Sequence, residues 1–293
     1  MSGATFRPLR EDDADDVVAI YRCAFGDARP IDAEQLRSWI RNPEVESDSL
    51  RVLELNGRVV AYGDISIEKD AVALEVAAPG RWQSFLEWAE DTARSSRLPR
   101  VRVLSYGGSE LAEAAESRGY RLWRSSYTMR IELGDVAPEE PRLPPGIQLC
   151  AYRRDDADLL RAALNEAFAI DPFFHEATPA YFREFYLRAR GFDPSLWLLA
   201  WDNTELAGFI LAFPEHTGDS TLGWVESLGV RPPWRGGGLG ESLLRAAFCE
   251  LHARGLRAIA LGVDGSNETG AVRLYERVGM TIERQADNWA LDL

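Results

Sequence analysis

WVESLGVRPPWRGGGLGESLLRAAFCELHARG, residues Trp224 to Gly255, is the stretch on which the fold turns. Trp224 to Val230 reads as a strand, and Pro232 and Pro233 stop it, because proline has no N–H to give a central ladder. Arg235, Gly236, Gly237, Gly238, Leu239 and Gly240 follow. After them, Leu243, Leu244, Ala247, Phe248 and Leu251 recur at helical spacing. A strand, a glycine-rich loop and a helix start together make an anion site. Glycines let the backbone approach a pyrophosphate, and the unpaired N–H groups of the first helical turn point towards it. No Gly-Lys-Ser/Thr follows, so this is not a Walker loop. No GxGxxG frame fits, and the loop comes late in its domain, which excludes a dinucleotide fingerprint. Taken alone, the cluster is equally compatible with a plain tight turn.

Its surroundings decide between the two. Arg235-x-x-Gly238-x-Gly240, preceded on the strand by Leu228-x-Val230, resembles the acetyl-CoA loop of the GNAT (Gcn5-related N-acetyltransferase) superfamily. About thirty residues on, SNETGAVRLYERVGM (Ser266 to Met280) resembles that family's next signature: an Asn, then Ala-Val-x-Leu-Tyr, then Gly and a hydrophobic residue. The likeness covers Gly146 to Leu293 well and Phe6 to Leu133 more faintly, and chains of this tandem kind include the mycothiol synthase group.

The resemblance implies a set of roles. Backbone N–H groups from Arg235 through Gly236, Gly237, Gly238, Leu239 and Gly240 to Glu241 would hold the CoA pyrophosphate. Leu228, Gly229 and Val230 would run beside the pantetheine arm, with an N–H near Val230 polarising the thioester carbonyl. Asn267 would contact the CoA arm. Tyr275 would line the same site and give a proton, or a hydrogen bond, to the departing thiolate.

The chemistry asks for one further group, because a protonated amine cannot attack a thioester. Glu226 is the candidate base: it lies two residues before Leu228 and four before Val230, and strand alternation predicts all three on one face. Asp264 is the fallback. A solvated strand glutamate and a core-facing helix tyrosine are the bland readings of Glu226 and Tyr275.

The chain also repeats itself. LREDDADDVVAIYRCAF (Leu9 to Phe25) recurs as YRRDDADLLRAALNEAF (Tyr152 to Phe168), an Asp-rich helix start followed by apolar residues at helical spacing. LRVLELNGRVVAYGDI (Leu50 to Ile65) recurs as LWLLAWDNTELAGFIL (Leu196 to Leu211), each a hairpin turning at Asn56-Gly57 or Asp202-Asn203. VAPEEPRLPPG, residues 136–146, is the most linker-like stretch. The expected organisation is therefore a degenerate domain over 1–135, a linker over 136–146 and a catalytic domain over 147–293. The implied fold class is α/β: two tandem GNAT-like domains, each a mixed, mostly antiparallel central sheet flanked by helices. The first copy keeps Leu74-Glu75-Val76 where the second has Leu228-Gly229-Val230. It has only Gly80 left of the loop, with Trp82 beside it, and Ala115 where the tyrosine would align, so it is expected not to catalyse.

Bulk properties fit. With 293 residues, 46% hydrophobic and 27% charged, the chain is an ordinary globular one. The net charge of −14 argues against a nucleic-acid partner and is compatible with cationic amines. No apolar run reaches membrane-spanning length, and the N-terminus lacks the pattern of a signal peptide, so no membrane partner and a cytoplasmic location are expected. Three scattered cysteines and three histidines offer no metal-ligand spacing, so no metal is expected. Phe173, Phe174, His175 and Trp289 are candidate walls of an acceptor cleft, and ordinary packing is the equal alternative.

The function these observations favour is transfer of an acetyl group from acetyl-CoA to a small-molecule amine by direct attack in a ternary complex, by a monomer or homodimer. A transferase using another acyl-CoA or acceptor, and a non-catalytic acyl-CoA sensor, are the alternatives.

Overall fold

The computed structural model describes residues 4–25, 32–41, 47–106, 109–170, 174, 176–215, 219–265 and 270–293. The first half runs β1 (Ala4–Pro8), α1 (Ala14–Phe25), α2 (Ala33–Arg41), β2 (Leu50–Leu55), β3 (Arg58–Ile67), β4 (Val72–Ala77), α3 (Gln83–Ser95), β5 (Arg100–Tyr106), α4 (Glu110–Ser117) and β6 (Arg121–Glu132). The second runs β7 (Ile147–Ala151), α5 (Ala157–Phe168), α6 (Pro179–Phe182), β8 (Trp197–Asp202), β9 (Glu205–Phe213), β10 (Leu222–Val230), α7 (Leu239–Ala253), β11 (Ala258–Asp264), α8 (Ala271–Arg277) and β12 (Thr281–Asp292).

The sequence repeat is a repeat of local bonding. Before α1, the Arg10 N–H donates to Asp13 Oδ2 at 2.8 Å; before α5, the Arg153 N–H donates to Asp156 Oδ2 at the same distance. In each case an aspartate closes a 3-10 turn that feeds the helix, which accounts for the matching Asp13 and Asp156 of the two acid-rich starts. Both hairpins turn on an asparagine in the left-handed region, Asn56 at φ 51° and Asn203 at φ 52°. The second turn centres on Asn203-Thr204, one residue later than expected, because Asp202 still pairs with Glu205.

Two compact units emerge, and they do not follow chain order. Unit 1 comprises Met1–Ser126 and Arg284–Leu293; unit 2 comprises Tyr127–Glu283. In unit 1 the strand order is β1-β2-β3-β4-β5-β12, with residues 286–292 of β12 antiparallel to β5. One face of its sheet packs Val72, Leu74 and Val76 against Phe85 and Leu86 of α3; the other packs Tyr62 and Ala77 against Val17 and Tyr21 of α1. In unit 2 the order is β7-β8-β9-β10-β11-β6, with α7 and α8 on one face and α5 and α6 on the other. The β4–β5 and β10–β11 pairs are parallel and the hairpin pairs antiparallel. This is the mixed, mostly antiparallel sheet flanked by helices that the resemblance implied.

A cut at 136–146 differs from these units in where the last strand of each half belongs. Local pattern marks β6 and β12 as strands, but their partners are set by pairing far along the chain. The proline-rich segment is also no free tether. It lies along one face of α7, where the Ser242 hydroxyl donates to the Arg142 carbonyl at 2.5 Å and Arg245 pairs with Glu139 at 3.1 Å. One helical repeat on, Cys249 and His252 meet the carbonyls of Pro138 and Gly134. Among the described residues no helix is long and apolar enough to cross a membrane.

Candidate active site

The strand β10 has two very different edges. Along one it pairs with β9 as far as Val230 opposite Gly208; along the other it pairs with β11 only from Leu222 to Val225. From Glu226 onward no described strand pairs with the β11 side of its backbone. Apart from the Val230 carbonyl, which Arg235 takes, the N–H and C=O groups there can meet an extended ligand lying alongside as an added strand.

A bulge marks where the opening begins. The β9–β10 register shifts between Val225 and Ser227, leaving Glu226 as the extra residue. Strict alternation therefore fails, and with it the expectation that Glu226 shares a face with Leu228 and Val230. Val225, Leu228 and Val230 pack on the α7 side. Trp224 packs on the α5 and α6 side, and there the Ser227 hydroxyl meets the Tyr186 hydroxyl at 3.3 Å. Glu226 goes with this second group: the Trp224 indole N–H donates to its Oε2 at 2.8 Å. An inserted residue re-aims the side chains on either side of it, which a period-two reading cannot foresee.

Glu226 remains solvent-accessible, yet its neighbours partly desolvate the carboxyl. That raises its pKa from the ordinary glutamate value, against the smaller opposite effect of the Trp224 hydrogen bond. A carboxylate poised this way takes up a proton more readily than a free one.

Beyond β10, a 3-10 turn over Pro232–Trp234 leads into the glycine loop. The Arg235 side chain turns back to fasten the loop, Nε donating to the Val230 carbonyl at 2.9 Å and Nη2 to the Ala167 carbonyl at 2.8 Å. Gly236 and Gly238 have φ of 77° and 84°, and a Cβ on either would meet nothing within 4 Å. Glycine is needed there for backbone conformation and leaves the outer side of the loop clear. Gly238 caps α7 without any side-chain acceptor. The Ser242 N–H is the first of the helix to find one, the Gly238 carbonyl at 3.1 Å. Among the described residues the N–H groups from Gly236 to Glu241 donate to no protein acceptor. They form a row of donors at the positive end of a 15-residue helix.

Gly240 draws the parts together. A Cβ there would stand 3.1 Å from Leu274 Cδ2 and 3.7 Å from Val230 Cγ2, so the start of α7, the end of β10 and α8 converge on it. Tyr275, next to Leu274, is 8% exposed and packs in the same cluster as Leu239 and Leu243. Burial pushes its hydroxyl up to about 12, so it keeps its proton through the neutral range. Leu228, Val230, Leu239 and Tyr275 thus share one side of the sheet, while Glu226 stands with Trp224. Asp264 ends β11, beyond the stretch paired with β10.

The CoA-arm candidate Asn267 and the acceptor-wall candidates fare differently. Asn267, Phe173 and His175 lie outside the described residues. Phe174 stacks on Phe168, centroids 5.6 Å apart, within the α5-side core. Trp289 belongs to unit 1, where its indole N–H donates to the Ser105 hydroxyl at 3.0 Å and its ring packs on the α3-side core; β12 pairs with β5 and carries it there. Tyr181 and Phe185 stand out instead. They are 50% and 48% exposed, and their rings stack with centroids 5.1 Å apart and planes 11° from parallel. The sequence signal was present in YFREFY, where Tyr181 and Phe185 share one spacing of four and Phe182 and Tyr186 another, the second pair buried.

Comparison with known proteins bears on the family and the fold. The model of the Acetyltransferase (GNAT) family matches residues 160–280. The chain is 33% identical over 257 residues to a mycothiol acetyltransferase of Streptomyces scabiei, covering 84% of this chain and 81% of that one. A GCN5-related N-acetyltransferase from Sphaerobacter thermophilus superposes with a TM-score of 0.80 at 25% identity, covering 99% and 95% of the two chains. A tandem GNAT protein from the clavulanic acid biosynthesis pathway does so at 0.69 with 17% identity, covering 99% and 98%, a likeness of fold alone.

Proposed function

The chain belongs to the GNAT acetyltransferase family, and we propose that its second half moves an acetyl group from acetyl-CoA to the amine of a small molecule by direct attack in a ternary complex. The observation that carries this reading is the row of acceptor-free N–H groups from Gly236 to Glu241, set beside the open edge of β10. The row suits a pyrophosphate, the open edge suits the pantetheine arm, and a backbone N–H near Val230 would polarise the thioester carbonyl.

Chemistry then falls to two side chains. Glu226 takes a proton from the incoming ammonium, directly or through water, and frees the nitrogen lone pair. The nitrogen bonds to the acetyl carbon, the C–S bond breaks, and the thiolate takes the Tyr275 proton. The second proton lost by the nitrogen returns to Tyr275 through solvent, so one proton is released for each amide formed. Asn267 is assigned to the CoA arm by family pattern. The first half, residues 1–135, serves as a non-catalytic partner. Free thiols at Cys23, Cys150 and Cys249 suit a reducing, cytoplasmic setting.

Calorimetric titration with acetyl-CoA tests the reading directly. One site per chain is expected; two would mean that unit 1 binds as well, and no binding would end the proposal. Since the Streptomyces scabiei relative is named for mycothiol, the mycothiol acceptor is the first to assay.

A further inference from the structure

We infer that Tyr181 and Phe185 form the acceptor platform of this site, and that they select a primary ammonium carried on a ring or other flat apolar body. This inference rests on the transfer reading above and adds the class of acceptor to it. Its basis is a continuous set of contacts. The stacked Tyr181–Phe185 pair leans on Tyr186, with Phe185–Tyr186 centroids at 5.1 Å and Tyr181–Tyr186 at 6.5 Å. Tyr186 is held by the Ser227 hydroxyl at 3.3 Å, and Ser227 adjoins Glu226, which the Trp224 indole N–H fixes from the other side at 2.8 Å. Burial first, and the nearby Glu226 carboxylate after it, hold the Tyr181 and Tyr186 hydroxyls above their ordinary pKa.

The helix explains why the two rings are outside. Thr178 caps α6 by accepting the Tyr181 N–H, and the chain continues as a π-helical turn over Arg183–Leu187. Spacing of four buries Phe182 and Tyr186 against Trp197 and leaves Tyr181 and Phe185 on the outer side. The two large rings are stacked on each other and half exposed, and among the described residues their only other ring contact is with Tyr186, so together they present an apolar face that suits a flat ligand. Charge complementarity names the occupant. An ammonium is drawn both to a carboxylate and to aromatic faces, and an apolar ring beside it covers the remaining surface.

The test uses simple probes on the full chain: 2-phenylethylamine and ethylamine, each titrated calorimetrically with and without saturating CoA. Wild type should bind phenylethylammonium about 10-fold or more tightly than ethylammonium, the scale of one aromatic stacking contact. That preference should shrink to within about 2-fold in Tyr181→Ala/Phe185→Ala, whose exposed positions spare the core, and survive in Tyr181→Phe. Equal binding of the two amines by wild type overturns the inference. So does a preference that persists in the double alanine variant while its affinity for CoA is unchanged. Failure of CoA to bind wild type counts instead against the transfer reading, because the amine titration without CoA reports on the platform separately.

Discussion

The two units hold their α3 and α7 helices against the sheet at matching glycines. A Cβ on Gly63 would collide with Phe85 of α3 and approach the Glu75 carbonyl at 3.2 Å; one on Gly208 would approach Leu243 of α7 and the Gly229 carbonyl at 2.9 Å. Both parallel pairs part after a few residues, β4 from β5 beyond Leu74 and β10 from β11 beyond Val225. The short helices α4 and α8 end alike, with Tyr120 N–H on the Ala115 carbonyl and Met280 N–H on the Tyr275 carbonyl, past Gly119 at φ 92° and Gly279 at φ 94°. Against this shared frame the differences are few. Where Phe209 lies over Gly229, unit 1 sets Asp64 opposite Glu75. The β3–β4 pair has no bulge, so nothing corresponds to Glu226. The α3 helix starts at Trp82 in ordinary helical conformation, where α7 starts at the left-handed Gly238. Ala115 stands for Tyr275. The frame is set by close packing and is costly to alter; the chemistry proposed for this chain rests on a bulge, a loop and one side chain, which can be lost without unfolding the sheet.

The largest contrast is expected at the glycines. Gly238→Asp should abolish acetyl-CoA binding in calorimetry, by placing a side chain and a negative charge against the phosphate row. Gly80→Asp, also at positive φ, should cost a similar ~1 kcal/mol of stability and leave binding intact. Loss of binding in the Gly80 variant would relocate the site to unit 1.

Next comes Glu226→Gln, expected to lower kcat/KM by ~10²–10⁴ and remove its acid limb. An unaltered pH profile would deny Glu226 the role of base. The same substitution has a stability signature. Because the folded protein holds the Glu226 proton to higher pH than the unfolded chain does, the charged form costs stability above the folded pKa, and that cost disappears as pH falls. Glu226→Gln should therefore melt higher than wild type at neutral pH, with the gap closing on acidification.

Tyr275→Phe should lower kcat by roughly 10–1000-fold with CoA affinity kept. Its mirror, Ala115→Tyr, should gain no activity and lower stability by about 1–3 kcal/mol through overpacking of a fully buried position. The smallest effects should be the most alike: Gly119→Ala and Gly279→Ala each cost about 1 kcal/mol in chemical denaturation, because both sit at the same strained φ. A large disparity would mean the two frames are not equivalent.

Much of this was legible beforehand. Glycine spacing after Val230 and the Ala-Val-x-Leu-Tyr run marked the loop and α8, and the Asp-rich starts marked α1 and α5, because each depends on residues within one turn of each other. Position on the strand singles out Glu226 as a candidate, but alternation gives it the wrong face, since a bulge inserts a residue that alternation does not count. Trp289 was placed with the wrong unit for a different reason: a strand's sequence says which residues alternate, not which strand it will lie beside. The exposure of Tyr181 and Phe185 is not legible in the same way, because an aromatic spacing of four fits a buried face as well as an exposed one.

The sequence by itself determined what short-range bonding can enforce: where strands stop at prolines, where a helix begins without a cap, and where the backbone must be left-handed. Only the tertiary structure decided what depends on distant partners: the bulge that turns Glu226 towards Trp224, the seating of β12 beside β5, the strap of residues 134–142 on α7, and the outward stacking of Tyr181 on Phe185. Those features are settled by packing between segments far apart in the chain, where no local pattern carries the information.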